Sequence, residues 1–136
     1  MTKYSFNVKK DARGSLIAIE ENRDIPFNIK RIYYMYGIET GANRGCHAHK
    51  LLQQILICIN GECSISLDNG FEKEIFVLSG KENGLYIPPK VWHEIYGCSG
   101  ETIILALASE YYDEADYIRD YGDFKKYISY SKKDDI

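Results

Sequence analysis

Residues 41–61 read GANRGCHAHKLLQQILICING and combine two histidines, an apolar run and a turn sequence. His47 and His49 are separated by one residue, and two such residues on a strand project from the same face. Gln54 to Ile59 is almost entirely apolar, as in a buried strand, and Asn60-Gly61 is a strong hairpin signal. The stretch therefore predicts a strand that presents two imidazoles to one pocket, followed by a buried strand and a tight turn.

The third and last histidine of the chain, His93, closes a Pro-rich segment that begins at Pro88. If its strand faces the same interior, all three imidazoles meet in one pocket. The plainer alternatives are that His47 and His49 lie on the outer face of a sheet and that His93 is a core residue beside Trp92.

Most of the chain before Ser109 consists of short segments rich in β-branched and aromatic residues, which favour strands. The predicted strands are Ser15 to Ile19, Ile29 to Tyr36, Gln54 to Ile59, Cys63 to Leu67, Ile75 to Leu78, Gly84 to Ile87, Val91 to Tyr96 and Thr102 to Ala108. Turn sequences separate them at spacings of about 8–12 residues, which is typical of a β-sandwich or barrel. We therefore predict an all-β fold.

After Ser109 the pattern changes to short amphipathic helices or turns, Asp113 to Arg119 and Asp123 to Ile128. Asp113 and Asp123 are the predicted N-caps. No linker and no internal repeat interrupts the chain. We predict a single domain over residues 1–130 and a polar tail over residues 131–136, which we expect to fray.

Composition excludes several functional classes. The formal charge of −3 and the absence of a Lys/Arg tract disfavour a nucleic-acid surface, although a few arginines suffice to bind one nucleotide. The N-terminus has no apolar core of a signal peptide, and no apolar run is long enough to span a membrane. We therefore expect a cytoplasmic protein whose four cysteines, none in a CxxC pair, stay reduced.

The spacing from Gly41 to Gly61, G-x5-H-x-H-x4-Q-x6-G, resembles the first cupin motif at every position but one. That motif has Glu where this chain has Gln54. The second cupin motif resembles Pro88 to His93 more loosely. The resemblance implies a double-stranded β-helix, or jelly-roll, barrel. The motif's usual metal set would be His47, His49, His93 and Gln54, but a neutral amide is a weak ligand for a divalent ion, so we expect no metal cofactor.

A closer resemblance extends from about Ala12 to Tyr127. It is carried by these phrases of the sequence: Arg13-Gly14-Ser15-Leu16, Ile25-Pro26-Phe27, Ile29-Lys30-Arg31, Tyr33-Tyr34, Arg44-Gly45, His47-Ala48-His49-Lys50, Gly84-Leu85-Tyr86-Ile87, Val91-Trp92-His93-Glu94 and Leu107 to Arg119. They resemble the dTDP-4-dehydro-6-deoxyglucose 3,4-ketoisomerases of deoxyaminosugar pathways. The resemblance implies an isomerase that moves a ketone from C4 to C3 of a dTDP-linked 6-deoxy sugar without a cofactor. It also implies a homodimer with exchanged N-terminal strands.

By this resemblance, His47 and His49 are the acid/base pair that moves a proton through an enediol or enediolate. Donors to the developing oxyanion are needed, and the candidates are Tyr33, Tyr34, Tyr36 and Arg44. Arg13 and Arg31 are candidates for the diphosphate, because guanidinium groups bind phosphate oxygens in bidentate fashion. Gln54 and His93 are expected to orient the sugar or the catalytic histidines.

Three other functions stay open at the level of sequence: a nucleotide-sugar 3,5-epimerase, a metal-dependent cupin enzyme and a sugar-binding protein without activity. The configuration at C4 of the product is also open, because an enediolate can be protonated on either face. The sequence as a whole is slightly more similar to the members of this family that form the galacto product.

Overall fold

The computed structural model describes residues 2–134, and this range contains twelve strands and one α-helix. The strands are β1 Lys3–Ser5, β2 Val8–Asp11, β3 Gly14–Ile17, β4 Arg31–Met35, β5 Arg44–His49, β6 Gln54–Asn60, β7 Glu62–Asp68, β8 Lys73–Ser79, β9 Asn83–Ile87, β10 Trp92–Tyr96, β11 Ile103–Ala108 and β12 Tyr117–Ile118. The helix is α1, Tyr121–Asp134. The eight listed strands are all present, β5 is the strand predicted to present His47 and His49, and β1, β2 and β12 are additional.

Two five-stranded antiparallel sheets face each other. Sheet I has the order β1-β9-β6-β11-β4, and sheet II has the order β12-β5-β10-β7-β8. The hairpin of β2 and β3 pairs with neither sheet in the described chain. This is the jelly-roll arrangement of cupins, so the predicted fold class is confirmed.

One detail of that prediction is wrong, because the sheets do not close into a barrel. Each sheet keeps two edge strands in the described chain, β1 and β4 in sheet I and β8 and β12 in sheet II. The sheets are joined by side-chain packing across the interior, which needs no hydrogen bonds between their edges. An open sandwich leaves room for a cavity between the sheets near β4 and β5.

Strand β6 explains why the apolar run at Gln54 to Ile59 is continuous rather than alternating. Leu56 and Cys58 face the core between the sheets, whereas Ile55 and Ile57 pack under the N-terminal segment with Phe6. Because both faces of the strand are covered, both sets of side chains are apolar.

The Asn60-Gly61 turn does not form the predicted hairpin. It carries the chain from β6 in sheet I to β7 in sheet II, and the two strands pair with other partners. Gly61 has φ +76°, and a Cβ there would lie 2.7 Å from Ser99 Oγ. A turn sequence typical of hairpins can therefore also connect two sheets, because packing decides which strands β6 and β7 pair with.

The C-terminal region also differs from its prediction. Only Glu114–Asp116 forms a 3₁₀ turn, capped by Asp113 as predicted. The short strand β12 follows, and then comes one helix, α1. Its first turn is capped by Asp120, which accepts from the Asp123 amide at 2.9 Å. The N-cap prediction for Asp123 was wrong by one turn. The predicted tail begins inside α1, and residues 135–136 lie outside the described chain.

Helix α1 covers the outer face of sheet II. Phe124 and Ile128 pack against Trp92, Ala48 and Ile118 in a separate apolar cluster. Trp92 is thus a core residue. The helix packs against the outer side of β5 and β10, the two strands that carry the histidines. In the part of the chain that the structure describes, no helix is long and apolar enough to cross a membrane.

Candidate active site

Strand β5 carries two of the histidines and is distorted just before them. Gly45 and Cys46 both have positive φ, +79° and +57°, and the pairing of β5 with β10 shifts register between His93 and Glu94. A Cβ at Gly45 would lie 3.1 Å from His93 Cδ2 and from the His93 carbonyl oxygen, so that position favours glycine. Such a bulge turns the following side chain away from its regular direction, and here that side chain is His47.

The bulge brings all three histidines of the chain together. The ring centroids of His47 and His49 lie 4.8 Å apart, and that of His47 lies 4.6 Å from that of His93. The spacing argument for one common face is therefore confirmed in its geometry. His47 is half-buried, whereas His49 and His93 are 4% and 2% exposed.

A cavity of about 440 Å³ lies in front of this cluster, between sheet I and sheet II. Five of the predicted site residues line it: Arg31, Tyr33, Arg44, His47 and His93. His49 and Gln54 lie behind the lining side chains. The two catalytic candidates are thus not equivalent, because His47 lines the cavity and His49 lies behind the side chains that line it.

Besides Gln54, three predicted substrate-binding residues do not line this cavity. Arg13 lies at the tip of the β2–β3 hairpin with its side chain 91% exposed and paired with Asp11. Tyr34 and Tyr36 lie on the outer face near β4, 64% and 72% exposed, with their rings stacked 6.2 Å apart. In a single chain these residues are not brought together with the histidines. Strand alternation sends Tyr34 to the face opposite Tyr33, and the hairpin that carries Arg13 pairs with neither sheet of the described chain.

The hydrogen bonds of two imidazoles fix their tautomers. His47 Nδ1 lies 2.9 Å from the Gly45 carbonyl oxygen, which can only accept. His49 Nδ1 lies 3.2 Å from Asp116 Oδ2. The proton of each neutral ring is therefore on Nδ1, and the lone pair on Nε2 is available as a base.

Burial favours the neutral form of every histidine in the cluster. It lowers the pKa of His47, and it lowers the pKa of His49 to about 4 with help from the nearby charge of His47 and against the opposing effect of Asp116. The pKa of His93 lies well below its usual value for the same reason, burial first and the other two histidines next. At neutral pH the cavity thus contains unprotonated bases.

Tyr33, Gln54 and His93 form a chain of contacts in which Tyr33 and His93 line the cavity and Gln54 lies buried between them. The Tyr33 hydroxyl donates to Gln54 Oε1 at 2.7 Å, and Gln54 Nε2 lies 3.4 Å from His93 Nε2. Burial raises the pKa of Tyr33 to about 12, so the phenol keeps its proton.

This arrangement does not fit a divalent metal ion. The potential ligand atoms of His47, His49 and His93 lie within 4.8 Å of one another, the one such group in the described chain. However, the fourth position of the cupin set presents the amide nitrogen of Gln54 to His93, and an amide nitrogen offers a cation no lone pair. The residues present are better suited to proton transfer than to metal binding.

Three arginines border the cavity, and they differ in their partners. Arg119 forms a bidentate pair with Glu114, at 2.6 and 2.9 Å, and its guanidinium lies 4.3 Å from the Tyr117 ring centroid. Hydrogen bonds from Arg119 hold the pKa of Glu114 at about 2. In the described chain no carboxylate pairs with Arg31 or Arg44, and the Nε of Arg31 is buried without a partner. Arg31 and Arg44 are therefore the cations free to bind an anion.

Sequence reasoning missed the functional part of residues 112–119. Tyr112, Tyr117 and Arg119 line the cavity, and the Tyr117 ring lies 4.9 and 4.3 Å from those of His47 and His49. Strand β12 places it there by pairing Tyr117 with His49. A two-residue strand has no periodicity to detect, so the distinctive phrase in this segment was its only sequence signal.

Comparison with known proteins gives consistent results. A protein-family model described as FdtA, WxcM-like C-terminal, matches residues 1–129. The curated TDP-4-oxo-6-deoxy-alpha-D-glucose-3,4-oxoisomerase of Aneurinibacillus thermoaerophilus is 51% identical over 126 residues, which cover 91% of each chain.

Two solved structures are similar over nearly the whole chain. A 3,4-ketoisomerase from Helicobacter canadensis superimposes with a TM-score of 0.91 at 42% identity, covering 93% of this chain and 96% of that one. The ketoisomerase QdtA from Thermoanaerobacterium thermosaccharolyticum, a histidine-to-asparagine variant bound to TDP-4-keto-6-deoxyglucose, gives 0.90 at 42% identity, covering 93% and 91%.

Proposed function

The chain belongs to the FdtA and WxcM-like family, and on that premise we propose that it is an isomerase that converts TDP-4-keto-6-deoxyglucose into the corresponding 3-keto sugar. The substrate is taken from the name of the curated relative and from the ligand of the QdtA variant. The observation that carries the proposal is the neutral, half-buried His47 at the wall of a cavity that two unpaired arginines border.

The reaction moves a ketone between neighbouring carbons without a net change of oxidation state. A base removes the C3 hydrogen as a proton, and the electron pair forms an enediolate across C3 and C4 with its charge on the C4 oxygen. A proton then returns to carbon C4, and the proton of the C3 hydroxyl passes to the C4 oxygen, so that no net proton is gained or lost. C4 is thereby reduced to an alcohol and C3 is oxidised to a ketone.

His47 is the residue best placed to act as the base, because its Nε2 lone pair borders the cavity. His49 completes the acid/base pair from behind. Tyr33 lies on the opposite sheet, and Tyr117 lies beside the imidazoles, so both phenols are candidates to stabilise the enediolate. Arg31 and Arg44 bind the diphosphate in this proposal.

The position of the histidines supports the galacto product. The hydrogens at C3 and C4 lie on the same ring face in the galacto configuration and on opposite faces in the gluco configuration. A single group of imidazoles that removes the C3 proton and returns a proton from the same side gives galacto. Delivery from the other side would need a second acid, and Tyr33 with a pKa of about 12 is poorly suited to that step.

We further propose a homodimer with exchanged N-terminal strands. The β2–β3 hairpin pairs with no other strand of the described chain and leaves Val8 and Leu16 exposed by 42% and 58%. Strand β4 is an edge strand with Ile32 exposed by 59%, and soluble sheets need to cover such edges. An exchanged hairpin would also give Arg13 a route to a second cavity. Light scattering should give twice the monomer mass at micromolar concentrations, and a monomer contradicts this assembly.

The product is suited to transamination at C3, which places the enzyme before an aminotransferase in deoxyaminosugar synthesis. The four free cysteines, three of them buried, agree with the reducing cytoplasm where we place it.

The test is a proton NMR time course with TDP-4-keto-6-deoxyglucose in D₂O, with His47→Asn as the control. We expect a C3 ketone with deuterium at C4. When the reaction is run in H₂O, the galacto product should show a small H4–H5 coupling, because its C4 hydrogen is equatorial, whereas a large H4–H5 coupling would identify the gluco product. Deuterium incorporation with the ketone still at C4 would identify a 3,5-epimerase instead. No change would favour another substrate or a binding protein.

A further inference from the structure

Asp116 occupies a position that the proposed reaction does not yet use. It ends the 3₁₀ turn before β12, and its side chain is 12% exposed. Its Oδ1 accepts from the Leu51 amide at 2.8 Å, and its Oδ2 lies 3.2 Å from His49 Nδ1 and 3.3 Å from the Leu52 amide. Every partner of this carboxylate is a donor.

We propose that Asp116 is a positioning residue, which holds His49 in one tautomer behind His47 and supplies the counter-charge when the histidine cluster takes up the substrate proton. The role in catalysis rests on the proposed function, whereas the tautomer does not. Asp116 acts through His49 and does not line the cavity.

The tautomer follows from the chemistry of the contact. A carboxylate cannot donate, so the proton of neutral His49 is held on Nδ1, and the Nε2 lone pair faces the cluster. A carboxylate that accepts from one ring nitrogen of an imidazole raises the basicity of the other nitrogen and fixes the orientation of the ring. His47 has only the Gly45 carbonyl in this position.

The counter-charge is needed because the cluster is buried. Once a proton from C3 reaches an imidazole, the cluster carries a positive charge in surroundings that favour its neutral form. In the described chain Asp116 is the one acid that pairs with a histidine. The guanidinium of Arg31 acts on His49 in the opposite sense. Glu114 also favours a charged His47, but it is already paired with Arg119, so Asp116 is the carboxylate that contacts the cluster directly.

Replacement of Asp116 by Asn makes a specific prediction. Asn keeps one acceptor and gains a donor. We expect its oxygen to stay with the Leu51 amide, which makes the shortest contact of the carboxylate at 2.8 Å, so the Leu52 amide loses its acceptor. The amide nitrogen then faces His49 Nδ1. An imidazole can respond by moving its proton to Nε2, which blocks the lone pair that faces the cluster.

The first experiment is long-range ¹H–¹⁵N NMR of protein labelled with ¹⁵N-histidine at pH 7.5. The chain has three histidines, so three ring systems report directly, and His→Asn variants assign them. We expect Nδ1–H tautomers for His47 and His49, and a switch of His49 alone to Nε2–H in Asp116→Asn. A wild-type His49 in the Nε2–H form overturns the proposal even if the variant does not fold, and so does a variant that keeps Nδ1–H.

The second experiment measures turnover, with Asp113→Asn as the matched control. Asp113 caps the same 3₁₀ turn through the Ala115 amide but contacts no histidine. Asp116→Asn should lower kcat by about 10²-fold, the scale of a lost acid/base function, with KM changed by less than about 2-fold. Asp113→Asn should retain wild-type tautomers and kcat.

Equal losses in the two variants would indicate a structural role and overturn the proposal, as would wild-type kcat in Asp116→Asn. If the wild-type protein does not turn over TDP-4-keto-6-deoxyglucose at all, the proposed function fails, and the NMR result still decides whether Asp116 sets the tautomer of His49.

Discussion

The two faces of strand β4 carry neighbouring tyrosines with opposite environments. Tyr33 faces the cavity and donates to the buried Gln54 at 2.7 Å, whereas Tyr34 is 64% exposed and stacks on Tyr36. Twelve tyrosines make this residue type prominent in the composition. The difference shows that residue type alone does not identify a site, because a one-residue step along a strand exchanges the interior for the surface.

The two faces also differ in the contacts that their side chains make. The inner face has polar groups from β4, β5, β6, β10 and the 112–119 segment, and polar contacts connect Tyr33 with Gln54, Gln54 with His93, and His49 with Asp116. The outer face has exposed apolar and aromatic groups that no described element covers. We therefore expect substitutions on the inner face to change turnover, and equivalent substitutions on the outer face to leave it unchanged.

The largest expected effect is at the histidines. His47→Asn should lower kcat by at least about 10²-fold, because the base that borders the cavity is lost, and His49→Asn should cause a similar loss with little change in KM. Steady-state kinetics with TDP-4-keto-6-deoxyglucose provide the measurement. Wild-type turnover in either variant would remove that histidine from the mechanism.

The next effect concerns metal binding. Gln54→Glu replaces the amide nitrogen that faces His93 with a carboxylate oxygen, so the cluster gains a charged ligand. Isothermal titration with Zn²⁺ should show an affinity at least about 10-fold above that of the wild type, using the usual scale for a group that tunes a metal site. Gln53→Glu is the matched control, because it adds the same charge next door while its side chain accepts from Tyr86 outside the cavity. Equal affinities in both variants would contradict this interpretation of Gln54.

The tyrosine pair tests the comparison directly. Tyr33→Phe removes one hydroxyl from the cavity and should lower kcat by about 10-fold, somewhat less than the loss of a dedicated oxyanion donor. Tyr34→Phe removes the same atom from the outer face and should leave kcat within about 2-fold of the wild type. Equal losses would show that the outer face contributes to the site, as an assembled dimer could allow.

The smallest effect is on stability. Because burial lowers the pKa of all three histidines, the unfolded chain binds more protons than the folded chain below pH 6.5. The free energy of unfolding should therefore fall as the pH decreases from 7.5 to 5.5, with a slope of up to about 1.4 kcal/mol per pH unit for each proton. Urea unfolding across this range measures the slope. His93→Asn should reduce it, and an unchanged slope would contradict the neutral state of His93.

The sequence predicted much of the fold because its signals are local. Eight strands were identified from their β-branched and aromatic residues, and the spacing of His47 and His49 placed both imidazoles on one face. A short helix or turn was predicted at Asp123 to Ile128, but its start at Tyr121 and its extension to Asp134 were not. The open sandwich and the crossing at Asn60-Gly61 were not predicted either. Each depends on which partner a segment packs against.

What the sequence determined by itself is the chemistry within reach of one strand: two imidazoles at i and i+2, a Gln in place of a Glu, and a set of phrases typical of one family. The tertiary structure alone decided that His47 borders the cavity while His49 lies behind it, that Tyr33 rather than Tyr34 is inside, and that Asp116, 67 residues away, supports His49. The physical reason is that strand periodicity is encoded locally, whereas the bulge at Cys46 and the pairing of β12 with β5 are set by contacts between segments distant in the chain.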